Sequence, residues 1–487
     1  MRSLVPIIQL RLKWWHTWRD SSVNTRIFAA MLTVGGLTLV VKVAAAVKEL
    51  VVAYHFGTSD AFDAFLMAFL LPQFVVELIG GSLNAALIPT YVQVREQEGR
   101  EAAQRLFSSV MTSTIVLVMA ASVLVTLLAA YVLPLLASGF SPDKLALTRR
   151  LYLLLLPMLL FYGLATVWNA VLNAGERVAL GAVIPMVTSI LTVLLLLAVG
   201  ARYGIVVLAI ATVVGMAMEA LLLGWGLIRH GVSIIPRWHG ASPAVRQVFR
   251  QYAPAVAASF LMGSTALIAQ SMAAMLAPGS VSALAYGSKA TFLLCGIGAV
   301  VVSTSVLPHF SRMVAIGDVA GVRHTLKTYA RLILAVTIPL TVLLIYFSEP
   351  LIKLVLQRGA FTEGDTHLVA QVQAVYLLQV PLFVLSILLV RLVSALKANH
   401  LLLWGTVINV IMIFIFSHLF MRWFQVVGIA LSISLMYLIS TAYLIYAALR
   451  LTKDQADTVY DMGAREKAGL GGIVQAAPVL KQHSAPE

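Results

Sequence analysis

The stretch Val40-Val41-Lys42-Val43-Ala44-Ala45-Ala46-Val47-Lys48-Glu49-Leu50 sets two cations and an anion inside a run, 27–54, that is otherwise apolar enough to cross a bilayer. A helix needs about 20 such residues to span roughly 30 Å of hydrocarbon. The composition around the stretch agrees. Of 487 residues, 60% are Ala, Val, Ile, Leu, Met, Phe, Trp, Tyr or Cys, and 11% are Asp, Glu, Lys or Arg, less than half of the roughly 25% charge of soluble domains. A soluble chain of this length has no interior able to hide so much apolar surface, so lipid must face most of it. The chain reads as an all-α polytopic membrane protein.

Apolar runs bounded by charge, Gly or Pro predict twelve spans, near 27–54, 61–91, 106–133, 150–172, 180–200, 205–228, 252–276, 281–310, 327–348, 367–394, 401–421 and 425–449. An even number puts both termini on one face. That face carries 22 Lys and Arg against 7 on the other, which predicts cytoplasmic termini in a multi-pass protein of the bacterial inner membrane. The bias also accounts for the net charge of +14 without a nucleic-acid partner. In residues 1–26, Ile7, Leu10, Trp14 and Trp18 share one helical face, with Gln9, Lys13, His16 and Asp20 opposite. That segment is expected to lie as an amphipathic helix along the headgroups, and it lacks the apolar core and cleavage site of a signal peptide. The expected organisation is an N-lobe over 27–228 (spans 1–6), a cytoplasmic linker at 229–251, a C-lobe over 252–450 (spans 7–12) and a mostly disordered tail at 451–487.

The two lobes resemble each other. Ala86-Leu87-Ile88-Pro89-Thr90-Tyr91 closes span 2 as Ser305-Val306-Leu307-Pro308-His309-Phe310 closes span 8, and Leu156-Pro157 opens span 4 as Val380-Pro381 opens span 10. Six spans separate the members of each pair, so the repeat is parallel, an architecture of transporters. Gly80 and Gly81 in span 2, and Gly296 and Gly298 in span 8, fall at comparable depth and are expected to interrupt their helices as bending points.

Charges within the spans mark the candidate site, because each costs at least about 2.5–3.5 kcal/mol if it faces lipid. Lys42 and Glu49 share a face of span 1, with Lys48 about 120° away; Asp63 and Glu77 fall in span 2, Glu219 in span 6, Lys289 in span 8 and Arg391 in span 10. The other reading of each is a buried structural pair or, near a helix end, a snorkelling side chain; it weighs least for Lys48, Lys289 and Glu77, which lie well inside their spans, is even for Arg391, Asp63 and Glu219, and is the better one for Arg331. Together, cations from both halves point to a cavity that receives an anion, with phosphate or diphosphate the best match. No GxxxxGK[ST] loop occurs, so the driving force is expected to be the membrane potential or a proton or sodium gradient, with no cofactor. The histidines have no metal-pair spacing, and the single Cys295 sits in an apolar run, where it reads as a small core residue.

The runs Lys48-Glu49-Leu50-Val51-Val52-Ala53-Tyr54-His55-Phe56-Gly57, Asp60-Ala61-Phe62-Asp63-Ala64-Phe65-Leu66-Met67-Ala68-Phe69-Leu70-Leu71-Pro72 and Asn84-Ala85-Ala86-Leu87-Ile88-Pro89 resemble the MurJ/MviN lipid II flippases of the MOP transporter superfamily. Ser288-Lys289 and Leu307-Pro308-His309-Phe310-Ser311-Arg312 look like the family's span 8. The resemblance implies a MATE-like, V-shaped transporter in which two six-helix lobes alternate access to a cationic cavity. The implied substrate is an undecaprenyl-diphosphate-linked saccharide. Carried over by position, Lys42 stands where the family has its first cavity Arg, Lys48-Glu49 matches an Arg-Asp pair, Asp63 matches an Asp of span 2 and Lys289 an Arg of span 8. Lys42, Lys48, Lys289 and Arg391 would then hold the diphosphate, with Glu49, Asp63, Glu77 and Glu219 balancing or coupling. Glu77 lies near where the family places a cation, every matched Arg is Lys, and the family usually has two further spans.

The saccharide therefore stays open between lipid II and an exopolysaccharide repeat unit. Expected partners are that lipid, membrane lipids and the proteins of peptidoglycan or polysaccharide synthesis. Two other classes remain beside the flippase: a cation-coupled multidrug exporter of the MATE type, and a non-transporting scaffold for envelope polysaccharide assembly. A membrane enzyme is disfavoured because the outer loops near 134–149 and 349–366 are short for an acid/base site.

Overall fold

The computed structural model describes residues 23–174 and 178–475, and the amphipathic segment expected at the N-terminus lies largely outside them. Among the described residues, all regular structure is helical: α1 (Val23–Phe56), α2 (Asp60–Glu98), α3 (Arg100–Leu136), α4 (Pro142–Leu155), α5 (Pro157–Ala174), α6 (Val178–Val183), α7 (Met186–Tyr203), α8 (Ile205–Arg229), α9 (Pro243–Ala274), α10 (Ser280–Ala315), α11 (Val319–Tyr346), α12 (Ser348–Leu356), α13 (Glu363–Leu377), α14 (Gln379–Ala395) and α15 (Asn399–Gln475). Ten segments are long and apolar enough to cross a membrane. The last of them, Asn399–Lys453, holds two spans, because Gln425 breaks the helix with a φ of 52°. With α1, which carries Arg26, Lys42, Lys48 and Glu49 in 34 residues, the described residues supply the twelve expected from the sequence.

The helix boundaries follow local chemistry. Ser59, Ser141 and Ser242 each accept a hydrogen bond from the backbone N–H three residues on, and Pro142 and Pro243 open their helices where a missing N–H costs nothing. Span 4 divides at Leu156, just before Pro157, and span 10 divides at Leu378, just before Pro381. The repeat is visible in the helix starts: Asp60, Arg100 and Pro142 recur as Ser280, Val319 and Glu363, an offset of about 220 residues. Within the spans, hydroxyls of Thr90, Thr114, Thr192 and Ser432 donate to the carbonyl four residues back, which satisfies them where no water is present.

By packing, the chain divides into two units. One runs to Ala283 and takes in Leu351–Leu368; the other comprises Leu284–Pro350 and everything from Val369. In the first, α2 is the axis, in contact with α3, α4, α5 and α9 around a core that includes Leu87, Phe107 and Val167. Helix α9 packs on α2 through Phe74 against Phe260 and Ser82 against Ser259, so the seventh span joins the first unit, although its place in the repeat assigned it to the C-lobe. In the second unit, Phe310, Leu388, Leu392 and Ala448 form the centre of a core between α10, α14 and α15, and Cys295 is buried against Leu377 and Val380.

Two expectations need correction. The segment from 451 is helical to Gln475, because it has no proline before Pro478 and continues from a helix anchored by buried Ala448 and Thr452. The paired glycines do not interrupt their spans either, since α2 and α10 run through them. A Cβ on Gly298 would lie 2.5 Å from Val384 Cγ2, and one on Gly80 would lie 3.0 Å from Tyr162 Cε1, whereas Gly81 and Gly296 face open space. Gly80 and Gly298 are therefore sites of close helix approach. Gly298→Val is expected to destabilise the protein by about 1–3 kcal/mol through overpacking, while Gly296→Val leaves stability nearly unchanged; thermal unfolding of the two variants in detergent checks this.

Candidate functional site

Helix α1 carries the first group of expected residues. Lys48 Nζ lies 3.1 Å from Glu49 Oε1, with the two side chains 31% and 25% exposed, so the cation is balanced without being sealed away. Lys42, six residues earlier, is exposed. Glu77 on α2 is also exposed and accepts a hydrogen bond from Gln73 Nε2 at 2.8 Å; a pairing of Glu77 with Lys48 is not what the structure contains, since Lys48 has Glu49. Glu219 on α8 is half-buried and accepts from Thr188 Oγ1 of α7 at 3.2 Å. In the second unit, Lys289 is exposed near the start of α10. Arg391 on α14 is directed to α10, where its Nε and one terminal nitrogen both donate to Ser303 Oγ, at 3.1 and 2.8 Å.

Asp63 is in a different situation. It is 1% exposed, and its carboxylate receives Lys144 Nζ at 2.9 Å, the backbone N–H groups of Gly279 and Ser282 at 2.8 Å each, and the Ser282 hydroxyl. Lys144 also reaches Asp60 at 2.5 Å and lies 4.1 Å from the centre of the Phe140 ring. This carboxylate has no capacity left for a substrate; it is a structural anchor at the end of the first unit where α2 begins. Next to it, the turns at Gly57 and Gly359 meet: Ala360 N–H donates to Tyr54 O at 2.8 Å, and both glycines have positive φ with no room for a Cβ, Gly57 against the Ala360 carbonyl and Gly359 against that of Tyr54. Thr58 donates its hydroxyl to Asp365 in the same place.

The sequence singled out Asp63 and missed its partners. Lys144 registered only as one of the few outer-face cations, and nothing local marks Ser282 as a ligand for a carboxylate more than two hundred residues away. The available signal was the position of Asp63 in the first turn of a helix beginning Ser59-Asp60, a place where a carboxylate more often binds N–H groups than substrate.

A repeated chain of apolar helices, with cations held in its spans, is the construction of a transporter, and comparison with solved structures agrees. The chain has the fold of an inward-closed lipid II flippase MurJ (TM-score 0.74, 21% identity, covering 89% of this chain and 93% of that one) and of an inward-facing MATE multidrug transporter of the MOP superfamily (TM-score 0.69, 13% identity, 88% and 99%). The likeness to both is one of fold. Curated relatives include proteins named "Probable lipid II flippase MurJ" from Rhizobium tropici (27% identical, 73% of this chain and 68% of the relative) and Synechocystis sp. (25%, 81% and 76%), and "Lipid II flippase MurJ" from Burkholderia cenocepacia (25%, 72% and 70%). The model of the family described as lipid II flippase MurJ matches residues 52–472, and the chain belongs to that family.

The anchor makes an unequal pair of substitutions. Asp63→Ala leaves the Gly279 and Ser282 N–H groups and the Ser282 hydroxyl without their acceptor and Lys144 with Asp60 alone, and is expected to cost about 3–5 kcal/mol. Lys144→Met leaves the carboxylate three of its four donors and should cost less than half of that. Thermal unfolding in detergent of the two variants gives the comparison, and equal losses would contradict the anchor role of Asp63.

Proposed function

We propose that this chain carries lipid II across the cytoplasmic membrane by alternating access. Lys42, Lys48, Lys289 and Arg391 bind the diphosphate, and Glu49 neutralises Lys48 when no substrate is present. The observation that carries the reading is the Lys48–Glu49 pair, a partly accessible lysine beside a carboxylate inside a membrane helix of a MurJ-family chain. A cation that served only packing would be sealed with its partner; this one can exchange a carboxylate for a phosphate oxygen. Lysine suits that exchange, because its ammonium binds phosphate as a point charge without the fixed fork of arginine. Glu219 and Glu77 are the carboxylates available for coupling to a proton or sodium gradient. Both termini are cytoplasmic in this reading, on the strength of the 22 to 7 charge bias.

Lys48→Ala and Lys289→Ala should each reduce lipid II transport by roughly an order of magnitude or more while the protein stays in the membrane, since charge-assisted contacts contribute about 1.5–3 kcal/mol apiece. Rescue of a strain depleted of its own lipid II flippase is the readout, with Arg331→Ala as the neutral control. Undiminished rescue by either variant would remove the cationic-cavity reading. Alkaline phosphatase fused at residue 487 should be inactive, and an active fusion would overturn the topology.

A second substrate, an exopolysaccharide repeat unit on the same lipid carrier, is favoured by one observation: Glu77 is exposed, and among the described residues it forms no ion pair. The same rescue experiment separates the two, because a chain specialised for that unit would fail to rescue as wild type.

A further inference from the structure

Where α2, α5 and α8 end and α3 begins, the first unit contains a cavity of about 650 Å³. It lies at the far end of α2 from Asp63. The 32 residues from Asp63 to Arg95 at 1.5 Å each span roughly 48 Å, more than the hydrocarbon thickness of about 30 Å, so the two features belong to opposite membrane faces. The cavity's face is the one that carries the 229–251 linker, the cytoplasmic side in the topology proposed above.

Arg95, Arg100, Arg105, His230 and His239 line the cavity, and Glu101 is the single carboxylate among its lining residues. None of the three arginines forms an ion pair among the described residues, and Tyr91 in the wall lies in the field of both Arg95 and Arg100. One further feature adds positive potential. Helix α3 starts here behind Gly99, which offers no side-chain cap, so the first N–H groups of a 37-residue helix are left to another acceptor. His239 is held in the wall by a 3.0 Å contact of its Nδ1 with the Arg237 carbonyl. On the membrane side the wall is apolar, formed by Val171, Leu172 and Leu227.

The cavity is also held in shape. The extended segment after α8 is fastened along α3: Gln104 exchanges two hydrogen bonds with Ser233, Ser108 Oγ binds the Ile235 and Arg237 carbonyls and receives the Arg237 N–H, and Ser109 Oγ receives the His239 N–H. Guanidinium groups around an uncapped helix start, above an apolar wall, make a receptor for a phosphate that arrives at the headgroup level.

We propose that this cavity is a second anion site, separate from the four cations assigned to the transported diphosphate, and that it binds a phosphate group, either the headgroup of an anionic phospholipid or free phosphate. It is read by binding alone, so it stands or falls independently of lipid II transport. The test is native mass spectrometry of the full-length protein in detergent with short-chain phosphatidylglycerol, phosphatidylcholine and inorganic phosphate. Phosphatidylglycerol should bind the wild type and the Arg331→Gln control alike, and the Arg95→Gln/Arg105→Gln variant about tenfold or more weakly, the loss expected for about 1.4 kcal/mol. Displacement by excess inorganic phosphate would assign the site to the phosphate group itself, and retention against it would assign the site to the lipid. Either result upholds the proposal. On the unmutated chain, bound phosphatidylglycerol should protect Arg95, Arg100 and Arg105, but not Arg331, from phenylglyoxal, a readout free of any folding defect. Absence of protection, or binding of phosphatidylcholine as tight as that of phosphatidylglycerol, would overturn it.

Discussion

A carboxylate removed from water at the end of a membrane helix has to be surrounded by donors, and in this protein that demand organises the end of the first unit. Asp63 is met by an ammonium, two backbone N–H groups and a hydroxyl, contributed by α4 and by the turn that follows α9. Gly279 and Ser282 flank the start of α10, so the carboxylate supplies from another helix the cap that the turn Ala277-Pro278-Gly279 cannot supply itself. The desolvation of the carboxylate is offset by these four donors together, of which the ammonium is one. The close backbone approach of Gly57 and Gly359 depends on the same alignment, since neither turn has slack to follow a displaced α2.

The membrane solves the backbone's problem by making helix compulsory, and this is why so much of the fold was legible. Where every N–H and C=O must be satisfied inside its own segment, an apolar run of sufficient length has one outcome. The twelve spans, the repeat and the proline-split spans at Leu156 and Leu378 could all be read from pattern. The glycines could not. Gly80 and Gly81 are neighbours in sequence with the same conformational freedom, yet one packs against Tyr162 and the other faces open space, a difference set wholly by the neighbouring helix. The tail was misread for a related reason: helical propagation from a packed span needs no amphipathic period of its own.

The candidate site divides in the same way. Residues with charge in an apolar run announced themselves, but their roles depended on partners. Lys48 and Glu49 are adjacent in the chain and found each other. Asp63 found Lys144 across the unit and became structure, and Arg391 directs two of its donors to one serine hydroxyl. That leaves its remaining guanidinium donors to be satisfied elsewhere, a geometry that holds the group in one orientation. Single positions mark where charge is, whereas only packing decides which charges are already neutralised.

The stitching of the segment after α8 onto α3 has a consequence for how the two repeats are joined. A flexible tether would transmit nothing between α8 and α9, but a peptide whose carbonyls and N–H groups are engaged by Gln104, Ser108 and Ser109 behaves as a splint. Slack returns only at Gly240, where φ is 86°. The effective connector between the splint and the next membrane helix is thus the short piece from Gly240 to Ser242, so the seventh span, packed on α2, starts within three residues of a segment fastened to α3.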